Sequence, residues 1–385
     1  MPRRSTSPRR TRRLAGCWPG CRPGYRPGYR IACPDRAQLG RAGPLRILHL
    51  HSSFNPGGKE LRAVRLMNLF GRPLTHTLVS AEPGALGAAA AVDPALNVAY
   101  PADFPALTGR PTPGRLQKIA RAMLGHDLVL TYNWGAMDAV MAHTLFAQAL
   151  GLPPLVHHED GFNQDEAQRL KWARNWYRRI ALGRADGLIV PSRRLEAIAL
   201  DAWAQPRWRV RRIPNGIDTA AYARKPRRDA VPRVIKRKGE FWLGAVAGLR
   251  AVKNLPRLVR AFRELPEEWH LVILGEGPER DAIRQAANAL GIGDRVHLPG
   301  FVAKPAEAVG LFDLFALSSD SEQFPLSVVE AMAAGLAVVS PDVGDVAAMV
   351  AEQNRPFITP AGRDDLLAAA LRALAADPAL RARIG

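Results

Sequence analysis

The stretch SSDSEQFPLSVVEAMAAG, residues 318–335, sets two carboxylates, Glu322 and Glu330, on either side of an apolar run that closes on small residues and a glycine. The preceding LFDLFAL, residues 311–317, reads as a short apolar strand, and residues 326–334 read as a helix ended by Gly335 just past its C-cap. SDSEQFP is then a strand-to-helix loop. Pro325 suits the first helical turn, where its missing N–H costs nothing, and the next free amides point into the loop, able to hold an anion. Glu322 in the loop and Glu330 in the second turn approach one ligand from two sides, each able to accept hydrogen bonds from a pair of hydroxyls. The arrangement fits a phosphorylated polyol. Alone, the same residues also fit a solvated loop glutamate and a surface helical one, so the rest of the chain must decide.

Working outward, order begins at LRILHLHSSF (45–54), an apolar strand running into NPGGKE and a helix over about 61–70. Strand and helix signals then alternate: THTLVSA, a helix around 115–124, DLVLTYN, a helix over 136–150, PLVHHED, a long helix near 166–182, and GLIVPS. WRVRRIPNGID (208–218) finishes this half, and the basic ARKPRRDAVPRVIKRKGE (223–240) reads as a connection. A second alternating half follows: FWLGAVAGL, a helix over 255–265, HLVILGEG, a helix over 279–290, RVHLPGF, a helix over 305–311, DLFAL, the opening stretch, LAVVSP, and a final helix over 364–375. Such alternation means parallel sheets wound by crossover helices. Two of them facing each other place ligands at the strand C-terminal ends, in the cleft between.

The 385 residues and 47% hydrophobic content suffice for two cored domains. A formal charge of +19 points toward nucleic acid or an anionic surface, yet residues 1–43 hold eleven arginines and one acid, leaving the rest of the chain at +9. This leader, with its RPGYRPGY tandem, is too polar for a secretory signal and reads as disordered; a start codon placed too far upstream accounts for it most simply. Cys17, Cys21 and Cys33 all lie in it, so no disulfide supports the core, which fits a reducing compartment. Cys17 and Cys21 lack a second ligand pair for zinc. No apolar stretch approaches the ~20 residues needed to cross a bilayer.

Other positions carry possible chemistry. Arg250 and Lys253, in the loop RAVKN between a strand and a helix, are placed to meet a diphosphate and stabilise it as a leaving group without a metal. GEGPER offers Gly275 and Gly277, but a dinucleotide fingerprint needs a glycine at position 280, which is Arg, so the oxidoreductase reading loses its support. Gly57 and Gly58 follow the first strand, where missing side chains let a ligand approach backbone amides. His157 and His158 end a strand on opposite sides, so one of them faces the cleft; no further His or Cys at useful spacing makes them metal ligands. The Asp320–Glu322 pair resembles a metal-dependent sugar-transfer triplet, which belongs to a different, single-sheet context. RLKWARNWYRRIALGR (169–184), with Trp172, Trp176 and Tyr177, fits either a helix on an anionic membrane or one whose aromatics face the core.

From residue 45 onward the chain resembles the family 4 glycosyltransferases, retaining enzymes of the GT-B fold that use nucleotide-sugar donors. The strongest match is the E-x7-E element, Glu322 and Glu330, continuing into EAMAAGLAVVS; GGKE, IVPS, IPNGID, VKN, GEGPER and VHLPGFV follow in family order. The resemblance implies that Glu330 binds the donor ribose, that Glu322 and the backbone of Phe324, Pro325 and Leu326 hold the sugar and phosphates, and that Lys253 binds the diphosphate. It implies Gly300 beside the base, Gly57 and Gly58 along the donor phosphate and acceptor side, and His157 over the reacting sugar. No metal or cofactor is implied, the nucleotide-sugar being a co-substrate. Three departures stand out. Gly248 occupies the family's arginine position five before the lysine, with Arg250 displaced by two. Ala337 replaces a frequent Pro, and ALRARIG stops short of the family's last crossing helix, implying a truncated C-terminal domain.

The expectation is therefore an α/β chain of two doubly wound Rossmann-like domains facing across a cleft (GT-B): leader 1–43, an acceptor-side domain 44–212 and a donor-binding domain 213–385. Its expected activity is metal-independent, retaining transfer of a hexosyl group to a glycan, lipid-linked or small-molecule hydroxyl, in the cytoplasm, with the inner face of an anionic membrane as an alternative place of work. The rivals are a nucleotide-sugar epimerase of the same fold and a nucleic-acid binder acting through the leader; no specific nucleic acid is expected.

Overall fold

The computed structural model describes residues 43–385 apart from 163, 167, 168 and 225, so the expectations for the leader and its cysteines lie outside the described residues. In the first half, strands β1 (Leu45–His51), β2 (Leu74–Ser80), β3 (Asn97–Ala99), β4 (Leu128–Tyr132), β5 (Leu155–His158), β6 (Gly187–Val190) and β7 (Val210–Arg212) form one parallel sheet in the order β3-β2-β1-β4-β5-β6-β7. Helices α1 (Gly58–Phe70), α2 (Pro113–Ala122), α3 (Met137–Leu150), α4 (Trp172–Ala181) and α5 (Arg193–Asp201) are its crossovers, and the single turn α6 (Thr219–Tyr222) leads out. Leu48, Leu50, Val129 and Leu155 face a core completed by Ile119, Met137, Val140 and Leu182. The opposite face of β1 points His49 and His51 the other way, as strand alternation requires.

The second half repeats the plan. Strands β8 (Phe241–Val246), β9 (Trp269–Leu274), β10 (Val296–Gly300), β11 (Leu314–Ala316), β12 (Val338–Pro341) and β13 (Ile358–Thr359) run parallel in the order β10-β9-β8-β11-β12-β13. Helices α7 (Leu255–Phe262), α8 (Arg280–Ala289), α9 (Leu326–Ala333), α10 (Val346–Met349), α11 (Asp364–Ala376) and α12 (Pro378–Ile384) flank it. Leu243, Ile273, Leu314 and Val339 face one core; Trp242, Val272, Phe315 and Val338 face the other, so the strands are apolar on both sides as buried parallel strands are. In each sheet the chain order reverses beside the first strand, and the crevice opens at the carboxyl ends of β1 and β4 and of β8 and β11.

Two expected helices differ. The span 166–182 is helical only from Trp172, because Glu166 turns back to accept the Lys171 amide (3.2 Å) and to pair with Arg174 and Arg178. The span 305–311 is two tight turns, Pro305–Glu307 and Val309–Leu311; Gly310 lies against Pro226, whose ring leaves no room for a side chain there.

Candidate active site at the strand ends

The loops that leave β8 and β11 are joined by their backbones. Asp320 N donates to Val252 O (2.9 Å), Ser318 Oγ donates to Lys253 O (2.9 Å), and Arg257 Nη1 reaches Asp320 Oδ1 (2.8 Å). Lys253 ends a single 3-10 turn after which Asn254 adopts a left-handed conformation, φ 43°, that swings the chain into α7. This framework brings Lys253 Nζ to 2.5 Å from Glu322 Oε1, to which Ser319 Oγ also donates (2.7 Å). Both charged side chains keep a small exposed part, so the pair borders the cleft.

Glu330 lies one turn into α9. Its burial raises its pKa, opposed by a hydrogen bond from the Tyr222 hydroxyl on α6 and by the positive charge of Arg65 on α1. Pro325 is the N-cap of α9 rather than part of its first turn, with φ −68° and ψ 112°, and it is buried beside the half-buried Phe324 and Leu326. The first half approaches from above: a Cβ on Gly58 would come within 3.2 Å of Leu326 Cδ1, and one on Gly161 within 3.5 Å of Gln323 Cγ. Gly57, just before α1, lies over the Glu60 carboxylate.

Arg250 is exposed, and its Nε passes 3.6 Å from where a Cβ on Gly248 would stand. The displaced arginine thus lies over the position whose side chain is missing. Gly275 and Gly277, φ +149° and +156°, are required by close approach of the backbone: a Cβ on either would strike Ala247 O or Leu249 O. Gly300 ends β10 at φ +103° against Glu276, and its carbonyl accepts from Gly275 N (2.9 Å).

His157 is a correction. Its ring is fully buried, bonded to Thr131 Oγ1 (2.8 Å), and 3.7 Å from Glu159, on the sheet face shared with Val129 and Leu155 and covered by α3 and α4. Strand parity sends His158 the other way, onto the Tyr132 ring and toward Arg62. His158, not His157, therefore lies on the sheet face that carries Tyr132 and Arg62.

Several site residues escaped sequence reasoning. Arg62 on α1 grips the Asp160 carboxylate with both nitrogens and also reaches Asn215 Oδ1; Nη2 to Oδ2 is 2.8 Å. Asp160 in turn donates its amide to Asn133 Oδ1 (2.8 Å). Asp160 lies two residues past the end of β5, and that strand-end position was the available signal. Nothing in the pattern marked Tyr222 or Arg65 as neighbours of Glu330. Among the described residues, no three His, Cys, Asp or Glu side chains are grouped to hold a metal, and no helix is long and apolar enough to cross a membrane.

Two family models match the chain: Glycosyltransferase Family 4 over residues 75–221 and Glycosyl transferases group 1 over residues 227–385. The chain belongs to the family 4 glycosyltransferases. It is 30% identical over 132 residues to a lipopolysaccharide core biosynthesis glycosyltransferase of Rhizobium meliloti, covering 34% of this chain and 38% of that one. It is 33% identical over 179 residues to a phosphatidyl-myo-inositol mannosyltransferase of Mycolicibacterium smegmatis, covering 44% of each. The matched segments therefore span about two fifths of these relatives' length. In fold it is similar to Anabaena HepE solved with UDP and glucose, at TM-score 0.72 and 22% identity over 88% of this chain and 92% of that one. The two-sheet architecture is the GT-B fold.

Proposed function

We propose that the chain transfers a hexosyl group from a nucleotide-sugar to a hydroxyl acceptor, with retained anomeric configuration and without a metal. The carrying observation is the Lys253–Glu322 pair at the loop that leads into α9, with Glu330 one turn into that helix and Gly58 of the first half against Leu326 at its start. Glu330 accepts the ribose hydroxyls, while the amides of Phe324 and Leu326 and the Glu322 carboxylate receive the sugar and its phosphates. Gly300, free of a side chain, leaves room for the base. Lys253 and Arg250, the latter filling the space over Gly248, neutralise the departing diphosphate while the acceptor hydroxyl attacks from the same face. The similarity of fold to HepE, solved with UDP and glucose, supports a nucleotide-sugar donor. The epimerase reading has no observation in its favour.

The test is a thermal-shift screen of uridine, guanosine and adenosine diphosphate sugars with Glu330→Ala alongside. A ligand at 100 times its dissociation constant adds about 2.7 kcal/mol. Glu330→Ala removes charge-assisted hydrogen bonds of roughly 1.5 to 3 kcal/mol each, weakening donor binding at least about tenfold. Unchanged donor affinity in that variant sinks the assignment.

Support for a lipid-linked acceptor comes from α4. Trp172 and Trp176 are 77% and 54% exposed and Ile180 is 54% exposed, beside Arg179 and Arg184, whereas Tyr177 turns inward to Asp138 (2.6 Å). Aromatic and basic side chains so arranged fit an anionic headgroup layer, hence a lipid-linked acceptor at the cytoplasmic membrane face. The purified protein is expected to float with anionic vesicles at low salt; absence of flotation removes the membrane from the reading.

A further inference from the structure

The loop that carries Glu322 is fastened to the other sheet's domain by a residue that the motifs do not mark. Asp345 is 8% exposed, and its carboxylate accepts hydrogen bonds from the backbone amides of Arg193 (2.7 Å) and Arg194 (3.3 Å). These are the first two amides of α5, a nine-residue helix of the first half, whose third amide, Leu195 N, is capped by its own Ser192 Oγ (3.0 Å). A carboxylate on two free helical amides gains both hydrogen bonds and the favourable end of the helix dipole. From the same residue, Asp345 N donates to Gln323 O (3.1 Å), and Gly344, at φ +61°, approaches so closely that a Cβ would come within 2.7 Å of Glu322 O and Gln323 O. Residues 344 and 345 thus touch the Glu322 loop with their backbone and α5 with the side chain. Beside this contact the two halves do not close-pack: a cavity of about 260 Å³ opens among Arg193, Arg212, Phe324, Val329, Met332 and Met349.

We propose that Asp345 is a positioning residue, a latch that holds the two halves in register and, through Gln323, sets the Glu322 loop. Its effect on transfer rests on the function proposed above; its effect on geometry does not. Release of the latch frees the Glu322 loop from α5 while leaving Lys253, Glu322 and Glu330 chemically intact.

The experiment measures the distance between spin labels on the full chain without donor, so it reads out whether or not any donor is turned over. Cys17, Cys21 and Cys33 are changed to Ser, and labels are placed at the exposed Leu145→Cys on α3 and Gln285→Cys on α8. The parent should show one narrow distance. Asp345→Ala should lower the population at that distance, relative to longer ones, at least about tenfold. Asp345→Asn, which keeps an acceptor oxygen, should lose about threefold or less. Arg193→Pro removes one donor amide from the opposite side, in the helical position that Pro tolerates, and should also shift the distribution. Combining it with Asp345→Ala should add nothing, because the latch is already gone. If Asp345→Ala fails to fold, Arg193→Pro carries the test with the carboxylate intact. An unchanged distribution in Arg193→Pro or Asp345→Ala, or additive shifts in the double variant, overturns the latch. With a donor that is turned over, Asp345→Ala should lower kcat about tenfold and leave donor KM within about threefold; an equal rise in KM would instead make Asp345 part of the donor pocket and overturn the proposal.

Discussion

Two cation–carboxylate groups carry the same chemistry into different surroundings. Lys253 and Glu322 meet at 2.5 Å with 17% and 11% of their side chains exposed, at the border of the cleft. Arg178 stands 3.4 Å from Glu159 and 3.1 Å from Glu166 with all three side chains fully buried, and the rings of Trp134, Phe162 and Trp203 enclose its guanidinium. The sealed group has lost its water, so its charges depend on one another and, for Glu166, on Arg174 at the rim. The open pair can exchange one partner for the phosphate or hydroxyl of a ligand. Burial, rather than residue type, separates the charges that hold the fold from those free to do chemistry.

The strongest way to break this comparison is to remove the cation from each group. Arg178→Ala leaves Glu159 without its cation in an apolar box and Glu166 with Arg174 alone, and is expected to cost about 3 to 5 kcal/mol of stability. Lys253→Ala leaves Glu322 with its Ser319 hydrogen bond and an opening to solvent, so the expected loss of stability is no more than about 1 kcal/mol. On the function proposed above, its effect on transfer is larger, a fall in kcat of about a hundredfold or more, because the positive charge proposed to meet the leaving group is gone. Denaturant unfolding and single-substrate kinetics on the two variants read both halves of the contrast. Equal destabilisation by both changes would show that the cleft pair is structural too.

The reach of the sequence follows the same division. Alternating apolar runs disclosed both sheets because buried parallel strands are apolar on both faces, and the Lys253–Glu322 encounter was implicit because their loops leave β8 and β11, neighbours at the reversal of strand order. Alternation also put His157 and His158 on opposite faces. Which of these faces the helices cover depends on how α3 and α4 lie on the sheet, and no local pattern records it. The contacts of Glu166 with Arg174 and Arg178, eight and twelve residues on, displaced a helix that propensity favoured. Tyr222 reaches Glu330 across more than a hundred residues through a single hydroxyl, and a Phe there would have read the same.

The smallest expected effect sharpens the comparison on the side of neutral groups. On the face of the first sheet opposite His157, His49, His51, His76 and His158 gather around Tyr132, with His49 Nε2 2.9 Å from His76 Nδ1. Burial, followed by repulsion from His76, holds His49 down at about 3, and burial lowers the other three as well. Above pH 6.5 these rings are neutral in both folded and unfolded chains, and the stability they allow is fully present. As the pH falls below 6.5 the unfolded chain takes up protons that the folded chain refuses, so stability is lost progressively down toward pH 3. For His49 alone the loss on going from pH 7.5 to 5.5 is about 1.4 kcal/mol, and His51, His76 and His158 add in the same direction. His49→Gln should flatten the acid slope by that share when denaturation midpoints are measured across the range. An unchanged slope would mean that His49 takes its proton in the folded state, and that this face of the sheet is wetter than its burial implies.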